Sequence, residues 1–185
     1  MIGGGKGSAR AASTILGSLP IDFPAPVILA LSREELGQEF SRTLKYAKGP
    51  RMTIAREGLL PAASTSYVAP VHKCIRIEAD GTLGLSELTR DAADPADLAL
   101  ESAAAIYGKK VIGVVLSGEG HDGTRGLNQI AARGGVRIVQ SPSDSRRPQM
   151  PSSAVLGDHP NYVVMVDEIA PLLVRIVQAS TPRSC

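Results

Sequence analysis

The sequence predicts an α/β fold: a doubly wound, mainly parallel sheet with crossover helices and one antiparallel β-hairpin. Three observations lead there. Several short runs are almost wholly Val, Ile and Leu, as strands buried on both faces of a parallel sheet must be. Ala- and Leu-rich segments of helical length alternate with them, in the strand–helix–strand order of right-handed crossovers. One stretch breaks the rhythm, where Asp80-Gly81 separates two short alternating runs, and Asp-Gly in that setting is a hairpin turn.

The elements follow in order. Ile2-Gly3-Gly4-Gly5-Lys6-Gly7-Ser8 is a Gly-rich turn that opens a helix over 9–19, with almost no first strand ahead of it. Val27–Leu31 reads as a buried strand, and 33–48 as a helix. The hairpin arms are 74–78 and 82–86. Asp94 before Pro95 reads as an N-cap followed by an N1 proline, which starts a helix at Pro95–Tyr107. A strand at 111–116, a helix at 127–133 and a strand at Val136–Gln140 form the next unit. Residues 141–153 are polar and proline-rich and read as a loop, and 167–178 as a final amphipathic helix. Residues 1–178 are expected to form one domain and 179–185 a frayed tail. No internal repeat or linker interrupts them.

Composition narrows the function. A chain of 185 residues suits one domain with a sizeable core. Aromatics make up 3% and tryptophan is absent, which argues against stacking platforms for single-stranded nucleic acid. A net charge of +2 is too small to attract a polyanion. Cys74 and Cys185 are too few for a disulfide framework or a thiolate metal centre. No metal and no cofactor is expected. No apolar run approaches the ~18 residues of a membrane span, so no membrane insertion is expected. With no signal peptide, the expected location is the cytoplasm.

The most informative segment is Gly118-Glu119-Gly120-His121-Asp122-Gly123, at the carboxyl end of the 111–116 strand. Open α/β sheets place their sites in such turns, and Asp122 fits the acid of a hydrolytic triad. The turn at 2–8 has the form that holds a nucleophile or binds an anion at a helix N-terminus. It does not meet the P-loop spacing.

In these segments the chain resembles the catalytic domain of CheB-type protein-glutamate methylesterases. Ile2 to Ser8 resembles the family's Ile-Gly-Ala-Ser-Thr-Gly-Gly turn. Tyr67-Val68-Ala69-Pro70 is similar to its Tyr-Ile/Val-Ala-Pro-Gly segment, and Asp94-Pro95-Ala96-Asp97 to Arg-Pro-Ser-Val-Asp. Leu116-Ser117-Gly118-Glu119-Gly120-His121-Asp122-Gly123 resembles Leu-Thr-Gly-Met-Gly-x-Asp-Gly, and Gln149-Met150-Pro151-Ser152-Ser153-Ala154 resembles Gly-Met-Pro-x-x-Ala. The order and spacing of five matches are more specific than any one. The resemblance implies the fold already read, hydrolysis of glutamate methyl esters on chemoreceptors by a Ser–His–Asp triad, and a place in chemotaxis and phosphorelay signalling.

Carried over position by position, the acid is Asp122. The nucleophile position is Gly5, the base position is Ser32, and the methionine near the oxyanion is Glu119. Glycine offers no nucleophile, and a serine hydroxyl is too weak a base to replace imidazole. The expectation is a catalytically impaired or inactive domain that binds a protein partner, such as a chemoreceptor cytoplasmic tail or a signalling protein. One alternative is an active hydrolase with a rewired site: Ser8 or Ser32 as nucleophile, His121 as base, and Asp122 or Glu119 as acid. Another is a small anion-binding module built on 3–8 with Lys6. Ser8 is otherwise expected to cap or pack the helix, Cys74 to be a small buried hydrophobe, and His72, His121 and His159 to be surface residues. Arg146-Arg147 reads as a solvated face.

Overall fold

The structure, a computed structural model, describes residues 1–32, 35, 49–88 and 95–180. The helix expected over 33–48, Glu35 excepted, and the Asp94 cap lie outside them.

Seven strands form one parallel sheet: β1 (Ile2–Gly4), β2 (Val27–Leu31), β3 (Arg51–Ile54), β4 (Thr65–Val68), β7 (Ile112–Val115), β8 (Val136–Gln140) and β9 (Tyr162–Val164), in the order β3-β4-β2-β1-β7-β8-β9. β5 (Lys73–Ile77) and β6 (Leu83–Glu87) pair antiparallel as a separate two-stranded ribbon. The Asp80-Gly81 turn joins them as expected. The ribbon is tied to a helix rather than to the sheet: Ser102 Oγ accepts from the Ile77 N–H at 3.0 Å.

Five helices are described: α1 (Ser8–Ser18), α2 (Pro95–Tyr107), α3 (Thr124–Ala132), α4 (Gln149–Asp158) and α5 (Val166–Ser180). Adjacent strand residues point to opposite faces, which sorts the first two. A Cβ at Gly3 would lie 2.5 Å from Ala96 of α2, and one at Gly4 would lie 2.5 Å from Ser8 of α1. The two helices therefore cover opposite faces. α5 packs on α1, while α3 joins α2 and α4 joins α3. Ile15 and Leu16 of α1, Leu100 of α2 and Ile130 of α3 fill the two layers against Leu29, Val114 and Ile138.

The sheet reverses its winding at β1. The chain leaves β1 toward β2, and later strands continue on the other side through β7. The loops after β1 and β7 therefore leave for opposite faces, and the carboxyl ends between them are where such sheets place their crevice and site. Both loops enter their helices through a left-handed glycine, Gly7 and Gly123, each with φ of 88°, a conformation an L side chain resists.

Three expectations need correction. Residues 141–153 are not a loop throughout: Pro142–Asp144 forms a 3-10 turn and α4 begins at Gln149. Pro148 and Pro151 lie at the helix start, where a missing N–H costs no hydrogen bond. The first strand is present as Ile2–Gly4, parallel to both β2 and β7. The last helix continues to Ser180, and 181–185 lie outside the described residues. Among the described residues no helix is long and apolar enough to cross a membrane.

Candidate functional site

Three loops meet at the crevice. The Gly5 N–H donates to the Ser117 carbonyl at 3.0 Å, which joins the loop after β1 to the loop after β7. Ser117 Oγ accepts from the Arg147 N–H at 2.9 Å and donates to the Lys6 carbonyl at 3.2 Å. The Gly118 N–H donates to the Arg147 carbonyl at 2.9 Å, and the Met150 N–H donates to the Gly118 carbonyl at 3.0 Å. Behind them, buried Gln140 at the end of β8 accepts from the Ser117 N–H at 3.0 Å.

Gly5 and Ser32 are neighbours. The Ser32 N–H donates to the Gly4 carbonyl at 2.9 Å, so the two residues stand side by side at the ends of β1 and β2. The space a side chain at Gly5 needs is narrow, since its Cβ would lie 2.9 Å from Met150 Sδ and 3.0 Å from Gly118 Cα. The Ser32 hydroxyl is buried and has no hydrogen-bond partner among the described residues.

Asp122 is buried, and its carboxylate faces a helix start. Its oxygens accept from the Ala96 N–H at 3.0 Å and the Asp97 N–H at 2.8 Å, the first turn of α2. Asp97 returns the arrangement: its Oδ1 accepts from Gly126 N–H at 2.6 Å in the first turn of α3, and its Oδ2 lies 3.8 Å from Arg125 Nε. Two buried aspartates thus cap each other's helices, each meeting N–H groups that a helix leaves unpaired and the positive end of its dipole.

Glu119 is half exposed, 4.0 Å from Lys6 Nζ and 3.6 Å from Arg147 Nη1. Pairs this open to solvent hold little energy. They gather one carboxylate and two cations where the loop after β1, the loop after β7 and the segment leading into α4 meet.

The N-terminus of α1, read as a place for an external anion, is occupied from within. Glu35 accepts from the Gly7 N–H at 2.8 Å and the Ala9 N–H at 2.7 Å. Sequence reasoning missed both Glu35 and the role of Asp97. Ser8 does not cap, because Gly7 is the N-cap residue; the Ser8 hydroxyl is fully buried, without a partner among the described residues, and packed against Gly4. His121, His72 and His159 are exposed, and Cys74 is buried, its thiol 3.2 Å from Ser86 Oγ. Among the described residues no three His, Cys, Asp or Glu side chains cluster as metal ligands.

Comparison with known proteins places this geometry in a family. The model of the CheB methylesterase family matches residues 1–173. A putative protein-glutamate methylesterase/protein-glutamine glutaminase of Leptospira interrogans is 32% identical, covering 96% of this chain and 94% of its own length. A protein-glutamate methylesterase/protein-glutamine glutaminase of Pseudomonas syringae is 30% identical over 95% of this chain, which spans about half (53%) of that relative. The crystal structure of the Thermotoga maritima CheB methylesterase catalytic domain superposes with a TM-score of 0.79 at 26% identity, covering 95% of this chain and 96% of that one. A mostly parallel sheet with helices and a small separate hairpin agrees with these matches: the chain belongs to the CheB methylesterase family.

Proposed function

We propose that this chain is a CheB-type methylesterase domain without ester-hydrolysing activity, and that its crevice binds a protein partner in chemosensory signalling, such as a chemoreceptor cytoplasmic segment. One observation carries the reading: position 5, at the end of β1 and against the acid loop, is a glycine and has no atom with which to attack an ester carbonyl. The surroundings support it. Among the described residues the Ser32 hydroxyl beside it has no partner to take or give a proton, Asp122 is engaged with the start of α2, and Glu119 opposes an oxyanion. Loss of even one triad member lowers such a rate by several orders of magnitude. The rewired alternative draws no support from Ser8, whose hydroxyl is sealed beneath α1, away from solvent and unpartnered.

The test is restoration. The wild-type chain is expected to bind a methylated chemoreceptor fragment in a pull-down and to release no methanol above background. The Gly5→Ser, Ser32→His and Glu119→Met triple variant is expected to release methanol, with Met150 shifting slightly to admit the new side chain. Methanol release by the wild type at the rate of an intact triad enzyme would overturn the reading.

A further inference from the structure

At the opposite pole of the sheet, along the amino ends of the strands, lies a groove of about 700 Å³. Its floor includes Ile2, Val27, Ile112 and Val136, the first residues of four parallel strands. Tyr107 of α2 and Leu173 of α5 add to its walls. Size and lining match small-molecule sites, which run to roughly 300–1,000 Å³ and are mostly apolar with a few polar anchors.

Among the described residues, the charged side chains lining it are Lys109 and Lys110, in the 3-10 turn Gly108–Lys110 after α2, and no carboxylate joins them. Both lysines are exposed, and among the described residues neither takes part in an ion pair. An apolar hollow edged only by cations favours a molecule with an apolar body and an anionic head, and disfavours one with a cationic head. A peptide backbone fits less well. It would bring N–H and C=O groups that aliphatic walls cannot pair, and the Tyr107 hydroxyl is already engaged, donating to the Gly81 carbonyl at 2.6 Å.

We propose that this groove binds a single-chain anionic amphiphile, a long-chain carboxylate, with its alkyl chain along the strand ends and its headgroup at Lys109 and Lys110. This site is separate from the crevice and independent of the function proposed for it.

Calorimetric titration of the wild-type chain with dodecanoate, kept below its micelle threshold, tests the assignment. Dodecyltrimethylammonium supplies the same tail with the opposite charge. Dodecanoate is expected to saturate one site, with the ammonium compound binding at least about tenfold more weakly. The Lys109→Glu, Lys110→Glu double variant changes only exposed side chains, so it keeps its fold, and it should reverse that order. Ala25→Trp, on the half-buried rim, should abolish dodecanoate binding while the circular dichroism spectrum stays unchanged. Equal affinity for the two amphiphiles, an order the lysine variant leaves unaltered, or the absence of saturation would overturn the proposal. So would sedimentation showing a dimer that Ala25→Trp dissociates, since a second copy would then be the occupant.

Discussion

Replacing Asp122 by alanine removes both acceptors at the start of α2 and leaves two buried N–H groups without partners. The expected cost is about 2–3 kcal/mol of folding stability. Glu119→Met, three residues earlier, changes a half-exposed side chain held only by loose ion pairs, and its effect should stay within ~0.5 kcal/mol. Thermal unfolding of the two variants checks the contrast, and equal effects would contradict the capping role. The same residues show how much of the site was legible. Gly5, Glu119 and Asp122 were singled out because they lie in motifs that follow one another along the chain, and Ser32 by its place after the second strand. Glu35 and Asp97 were not, because the N–H groups they cap lie 26 to 29 residues away in sequence. No local pattern announces a cap delivered from another loop.

Among the elements, α4 ends on a third buried acid, Asp158. Asp158 faces Arg137 of β8 at 3.3 Å, and the same guanidinium donates to Asn161 Oδ1 at 3.2 Å. Burial raises the Asp158 pKa above the usual carboxylate value, and Arg137 opposes that rise. A raised pKa means the folded state holds its proton more tightly than the unfolded chain. Stability from this group is therefore full at low pH and is lost as pH rises through the folded value. Arg137→Met strands the carboxylate, and it should cost about 3 kcal/mol near neutral pH. The cost should shrink around pH 4, where a carboxyl group takes up its proton; urea unfolding at the two pH values measures this, and a constant loss would refute it. At this scale the sequence read best where strands are wholly buried. β2 and β8 were found with their correct bounds, but β3 and β9 were missed. These edge strands have three or four residues and are partly exposed, too short and too mixed to show a period. β4 was missed because its four residues open on Thr and Ser, without the apolar run of its neighbour β2.

For the whole molecule, the two helical layers share one sheet, so buried side chains on both faces belong to one contiguous core. Ile15→Ala beneath α1 and Ile130→Ala beneath α3 should each cost about 3 kcal/mol. Their effects should add within ~0.5 kcal/mol, in a single unfolding transition seen alike by far-ultraviolet dichroism and tyrosine fluorescence. Two separate transitions would mean that the faces fold apart. The mutual capping of α2 and α3 bears on what a lone acid can reveal. An aspartate that holds a helix start in place is under selection for folding whether or not the site turns over, whereas positions serving only bond cleavage are free to drift wherever it does not. Its survival in any descendant is thus a record of folding, and a surviving acid on its own is no sign of a living enzyme.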